Sequence, residues 1–446
     1  MADTGTGVAP YWELTFDADG DVDAPERDRL LAGARASGVR DLIVFAHGWN
    51  NDRSGATRLY RQFFAPVPGL APAARIGYVG VIWPSMRFCD EPIPDFPRST
   101  AAGPAPGPAL DEDTRHALLE TFPGRATVVD RLARMLDQHS HDEAALEEFG
   151  RLVGLLAELV PPGPQAHFTA DTVAEGVPEH APGMFTRPAV DVCAEFAQAA
   201  AQAEQAARAG QSGSAGQESF SLPNPWDGAK ELLRQATYYT MKRRAGAVGE
   251  RGLGPAVGRL AEAVPDLRVH LVGHSFGGRL VSFALRGLPP GVRAVKSVTL
   301  LQGAFSHYAF AARLPGDPRA GGVLQGQEHR VDGPLVCCSS HFDTALGTFY
   351  PLASRMADDD RSVLGVDVGA LLGTRWGAMG HDGVQAVPGT RACTLAEATS
   401  GPLPVSGCVN VDAAEVVRRG GPPAGAHSDI VHPELAHLVL AAGRIA

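Results

Sequence analysis

Four apolar, largely β-branched runs stand out along the chain: Asp41–Ala46, Ile76–Trp83, Val269–Val272 and Val295–Leu301. They show little alternation, which is the pattern of strands covered on both faces. Leu335–Ser339 and Gly407–Val411 are weaker versions of the same pattern. Tyr11–Asp17 alternates apolar and polar positions and predicts an antiparallel edge strand. Between these runs the period lengthens to that of a helix, over Ala56–Phe64, Gly278–Arg286 and Pro433–Ala442. Strands that alternate with helices predict an α/β fold, a mostly parallel sheet joined by right-handed crossovers.

The rhythm breaks between Trp83 and Val269. A proline-rich stretch, Pro92 to Pro108, is unsuited to regular structure. Helical patterns follow at Glu112–Thr121, Ala126–Gln138, Glu143–Leu159 and Val190–Ala209. Gly210–Gly216 then reads as a flexible low-complexity segment. Trp226–Arg244 is a further helix and ends in the basic cluster Lys242-Arg243-Arg244. The expected organisation is a strand-rich core from residues 1–84 and 266–446, with a large, mainly helical insertion at 85–265. No internal repeat is visible.

With 44% hydrophobic and 20% charged residues, the 446-residue chain is not wholly disordered. No run reaches the roughly 18 apolar residues of a membrane span, so no integral membrane segment is expected. Met1-Ala2-Asp3-Thr4 lacks the basic-then-apolar layout of a signal peptide, and a cytoplasmic location is the expectation. A net charge of -11 argues against a nucleic-acid partner. Six cysteines in so long a chain do not make a disulfide scaffold. Whether Cys393 and Cys408 pair is left open, free thiols being the plainer reading. The wealth of Ala, Gly and Pro beside only three lysines fits a GC-rich bacterial genome and carries no chemistry.

The chemistry-bearing candidate is Gly273-His274-Ser275-Phe276-Gly277, a G-x-S-x-G pattern between a short apolar strand and an amphipathic stretch. That context gives the motif mechanical meaning. A sharp strand-to-helix turn exposes the serine hydroxyl, and small residues on either side let backbone approach. The following helix N-terminus brings partial positive charge to where an oxyanion would form. Ser275 is therefore the candidate nucleophile. At the end of the first apolar run stands His47-Gly48-Trp49-Asn50. A loop there can aim a backbone N–H at the same oxyanion, with Trp49 as the chosen donor, Asn50 close behind it and Phe276 as the second donor. Asn50 or Asn51 also suits a helix N-cap. His47 reads as a hydrogen-bonded loop anchor rather than a base.

With HGWN at His47–Asn50 and GHSFGG at Gly273–Gly278, in that order and each at a strand end, the sequence resembles the α/β-hydrolase superfamily in its lipase and esterase-like branch. The resemblance covers most of residues 40–84 and 266–446, and the insertion occupies a region where the family often carries a cap. It implies the chain order nucleophile, acid, histidine. Asp343 follows the Leu335–Ser339 run and sits where that order places the acid, with Asp317, Asp332, Asp367 and Asp382 as rivals. Among downstream histidines, His427 lies in a Gly/Pro-rich loop before the last helix, where a base must hang to reach Ser275. His432 reads as a helix boundary residue, His437 as a packing histidine in that helix, and His381 lies further upstream.

No H-E-x-x-H, zinc spacing, P-loop or G-x-G-x-x-G accompanies these residues, so no metal and no cofactor are expected. His139-Ser140-His141-Asp142-Glu143 reads as a polar linker. The expected function is a serine hydrolase cleaving a carboxylic ester through an acyl-enzyme, with a small-molecule or lipid-like acyl substrate. An acyltransferase or cyclase using the same groups, and a non-catalytic binder on the same fold, are the alternatives.

Overall fold

The computed structural model describes residues 7–49, 51–86, 109–140, 142–157, 166–174, 182–209, 224–346, 377–421 and 425–445. Pro92–Pro108, Gly210–Gly216, Asn50, His141 and Asp367 lie outside the described residues. Ten strands are described: β1 (Tyr11–Thr15), β2 (Asp41–Ala46), β3 (Ile76–Ile82), β4 (Thr172–Ala174), β5 (Arg268–His274), β6 (Val295–Leu301), β7 (Ala320–Gly322), β8 (Pro334–Ser339), β9 (Arg391–Thr394) and β10 (Gly407–Asp412). Eight of them form one sheet in the order β1-β3-β2-β5-β6-β8-β10-β9. Every neighbouring pair in it is parallel. β4 and β7 make a small separate antiparallel pair.

Helices on both faces explain why the central strands read as unbroken apolar runs. Leu42, Val44 and Ala46 of β2 point into one core, beneath helices Ala24–Ser37, Gly254–Ala263 and Phe276–Gly287. Ile43 and Phe45 point into the other, under Arg53–Phe64 and Pro433–Gly443. The period of two along each strand thus feeds two cores at once.

The first strand corrects the expectation of an antiparallel edge. Tyr11–Thr15 does lie at the sheet edge, but it runs parallel to β3, in register from Tyr11↔Tyr78 to Thr15↔Ile82. Alternation reports that one face is less covered and says nothing about direction. Direction is set by the helix Ala24–Ser37, capped by the Asp23 side chain and ended by Gly38 at φ 64, which carries the chain back before β2.

The insertion contributes helices Glu112–Thr121, Ala126–Gln138, Glu143–Ala157, Ala189–Ala209 and Pro225–Ala247. Leu118, Leu132, Phe149, Trp226 and Leu233 belong to the same apolar cluster as the sheet residues Leu42 and Leu271. The described part of the insertion therefore shares and extends the core on one sheet face. Helix Pro225–Ala247 runs on through a π-helical turn, Val248–Leu253, that packs against helix Phe276–Gly287.

A fully buried ion cluster ties these pieces together. Asp171 pairs with Arg279 and, at 3.1 Å, with Lys242, and all three side chains are essentially inaccessible. Arg279 also donates to the carbonyls of Phe168 and Ala170 at 2.9 and 2.8 Å. Burial of such charges is tolerable only because each is paired and hydrogen-bonded. Among the described residues no helix is long and apolar enough to cross a membrane.

Candidate active site

Ser275 sits between β5 and helix Phe276–Gly287 with φ 55 and ψ -120, a conformation L-residues rarely adopt. Neighbouring hydrogen bonds hold the turn. Ser275 N donates to Leu301 O at 3.0 Å, and Ser275 O accepts from Gly278 N at 3.0 Å. Glycine is required beside it: a Cβ at Gly277 would lie 2.0 Å from Ala46 O. Likewise a Cβ at Gly48 would lie 2.7 Å from the Ser275 Cβ, so the β2 loop presses directly on the serine.

Two residues far apart in sequence complete a hydrogen-bonded chain. His427 Nε2 lies 2.9 Å from Ser275 Oγ, and His427 Nδ1 lies 2.8 Å from Asp343 Oδ2. Asp343 comes from the turn after β8, and its carboxylate is wholly buried, whereas the His427 side chain keeps 16% of its surface exposed. The carboxylate is held on both oxygens. Oδ1 accepts from Leu346 N at 3.0 Å, and Oδ2 accepts also from Gln302 Nε2 at 3.2 Å. With Asp343 accepting at Nδ1, the neutral imidazole keeps its lone pair on Nε2, facing the serine hydroxyl.

The histidine loop is tethered to the nucleophile strand. His274 Nε2 donates to His427 O at 2.9 Å, and the two rings lie 5.2 Å apart. Burial, reinforced by His427 nearby, pulls the His274 imidazole down to about 3, so it stays neutral. His47 is pulled down to about 4, again mainly by burial. Its backbone N donates to Tyr60 Oη at 3.0 Å, its carbonyl accepts from Trp83 Nε1 at 3.0 Å, and its ring stacks on Trp83. The position is that of an anchor for the β2 loop.

These two neutral, buried histidines have a consequence for stability. In the unfolded chain each ionises near the ordinary value of 6.5. Their stabilising contribution is complete above that pH and is lost as the pH falls through about 4 and 3. The unfolding free energy should therefore decline on acidification below neutrality, each histidine adding up to about 1.4 kcal/mol per pH unit. Denaturant titrations at a series of pH values check this.

The remaining sequence candidates lie elsewhere. His432 is bound to Asp429 at 2.8 Å and stands at the N-cap position of the last helix, without a capping bond from its side chain. His437 is exposed on that helix and does not pack, because its position faces away from the apolar stripe Leu435, Leu438 and Val439. Asp332 pairs with Lys296, which draws its carboxyl below the usual range. Asp317 caps a turn through Arg319 N at 2.9 Å. Asp382 stands between His307 Nδ1, at 3.2 Å, and His381 Nδ1, at 2.8 Å. Although burial opposes it, these partners hold the Asp382 carboxyl down at about 2. This trio and Gln302 carry no spacing signal in the sequence. His139 is stacked on Trp226, whose Nε1 donates to Ser140 O at 2.7 Å. Cys393 and Cys408 are both free thiols.

Trp49 and Phe276 are neighbours at the strand ends, their rings 6.3 Å apart. As the first residue of its helix, Phe276 has an N–H that intrahelical bonding cannot use. Tyr238 of helix Pro225–Ala247 closes this corner, 4.7 Å from the Phe276 ring and 5.5 Å from Trp49. Comparison of the chain with protein families, with curated proteins and with solved structures returned no match in any of the three.

Proposed function

We propose that this protein is a serine hydrolase that cleaves a carboxylic ester through an acyl-enzyme, on an α/β-hydrolase-like core. The observation that carries the reading is the continuous chain from Ser275 Oγ through His427 to Asp343, with links of 2.9 and 2.8 Å. His427 Nε2 takes the proton of Ser275 as its oxygen attacks the acyl carbon. Asp343 holds the imidazole in its tautomer and stabilises the imidazolium. Backbone N–H groups of Trp49 and Phe276 receive the tetrahedral oxyanion, aided by the positive end of helix Phe276–Gly287. His427 then protonates the leaving alcohol, and a water molecule repeats the cycle to release the acid.

In this reading helix Pro225–Ala247 acts as a cap, with Tyr238 and Trp49 walling the acyl side. The test is steady-state turnover of p-nitrophenyl esters of graded chain length. Hydrolysis with a clear chain-length optimum is expected. Absence of turnover on every ester in the series would refute ester cleavage.

A further inference from the structure

We infer that Gln302 is a positioning residue for the acid of this site: it donates to the carboxylate that orients the base. The inference rests on the function proposed above. Gln302 follows β6 directly, is fully buried, and has φ 48, so its backbone occupies the left-handed region that a side chain disfavours. Its Nε2 lies 3.2 Å from Asp343 Oδ2 and 2.9 Å from Gly380 O. Two acceptors on the same side settle which end of the amide is nitrogen. Its Oε1 has no protein partner among the described residues. A methionine or leucine would fill this volume without leaving an acceptor unpaired. What the amide adds is the donor.

The oxygen that receives the Gln302 N–H is the one that accepts from His427 Nδ1. Gly380 O also accepts from Ser340 N at 3.0 Å, three residues before the acid. The amide therefore locks carboxylate rotation against two separate loops. It also draws charge away from the bond to His427. Loss of that donor leaves the carboxylate holding the imidazolium more strongly and the pair less well aligned.

The experiment compares the unmodified protein with Gln302→Met and Gln302→Glu. The readouts are the second-order rate of fluorophosphonate labelling at Ser275 against pH, and the thermal unfolding midpoint. Gln302→Met should label about 10-fold more slowly, the size of one lost hydrogen bond to a charged group, and its acid limb should move to higher pH. In Gln302→Glu a protonated carboxyl still donates to Asp343, but its ionisation sets two carboxylates against each other. That variant should label near the normal rate at low pH and acquire an alkaline limb that the unmodified protein lacks. A packing role alone would lower the unfolding midpoint and leave both pH profiles in place. Unchanged labelling rates and limbs in whichever variants fold would overturn the inference, and leave the triad reading standing. Failure of the unmodified protein to label at Ser275 would overturn both.

Discussion

Ser275→Ala is expected to lower ester turnover by roughly five to six powers of ten, the scale seen when a nucleophile is removed from a triad that acts as a unit. The loss should be almost purely chemical. Ser275 Oγ makes its hydrogen bond to His427 Nε2, so the hydroxyl contributes little to packing. Alanine at φ 55 carries the same left-handed backbone cost as serine, so the elbow itself is not relieved. Unfolding midpoint and circular dichroism should match those of the unmodified protein, while kcat falls to the limit of detection. A variant that folds normally and keeps most of its turnover would place the nucleophile elsewhere.

Asp343→Asn should cost about four powers of ten in kcat, through tautomer control rather than through loss of charge alone. Oδ2 accepts from both His427 and Gln302, and Oδ1 accepts from Leu346 N. An amide offers an acceptor at only one end. With its nitrogen toward His427, Nδ1 must become the acceptor, and Nε2 then carries a proton pointing at the serine it should deprotonate. With its nitrogen toward Leu346, two donors face each other at a buried position. Either arrangement leaves a buried group unpaired, so the unfolding midpoint should fall as well. Parallel measurement of kcat and thermal unfolding separates the two effects. Kcat near that of the unmodified protein would mean that Asp343 does not set the tautomer.

Much of this site is legible in the chain because its parts fall where the strand pattern is strongest. β5 is buried on both faces and carries the apolar run Val269–Val272 apart from His270, so the turn at Ser275 is bounded by a strand and a helix that are each evident. Asp343 and His427 follow from chain order together with their places, one after β8 and one ahead of the final helix. Gln302 has no such marker. It is a single polar residue after an apolar run, and its role arises only when Gly380, far along the chain, closes over it. The trio His307, Asp382 and His381 is likewise assembled by tertiary contact. Helix Ala24–Ser37 buries only Leu30 and Ala34, too thin a stripe to register as a helical period. β9 is mostly exposed at the sheet edge and has no apolar alternation to betray it.

The most direct test of the proposed mechanism is covalent: treatment of the folded protein with a fluorophosphonate probe, followed by peptide mass mapping. The account predicts one adduct, on the peptide containing Ser275, whose formation is slowed by Asp343→Asn and abolished by Ser275→Ala. No adduct on the folded protein, or an adduct on a different residue that survives Ser275→Ala, would contradict it.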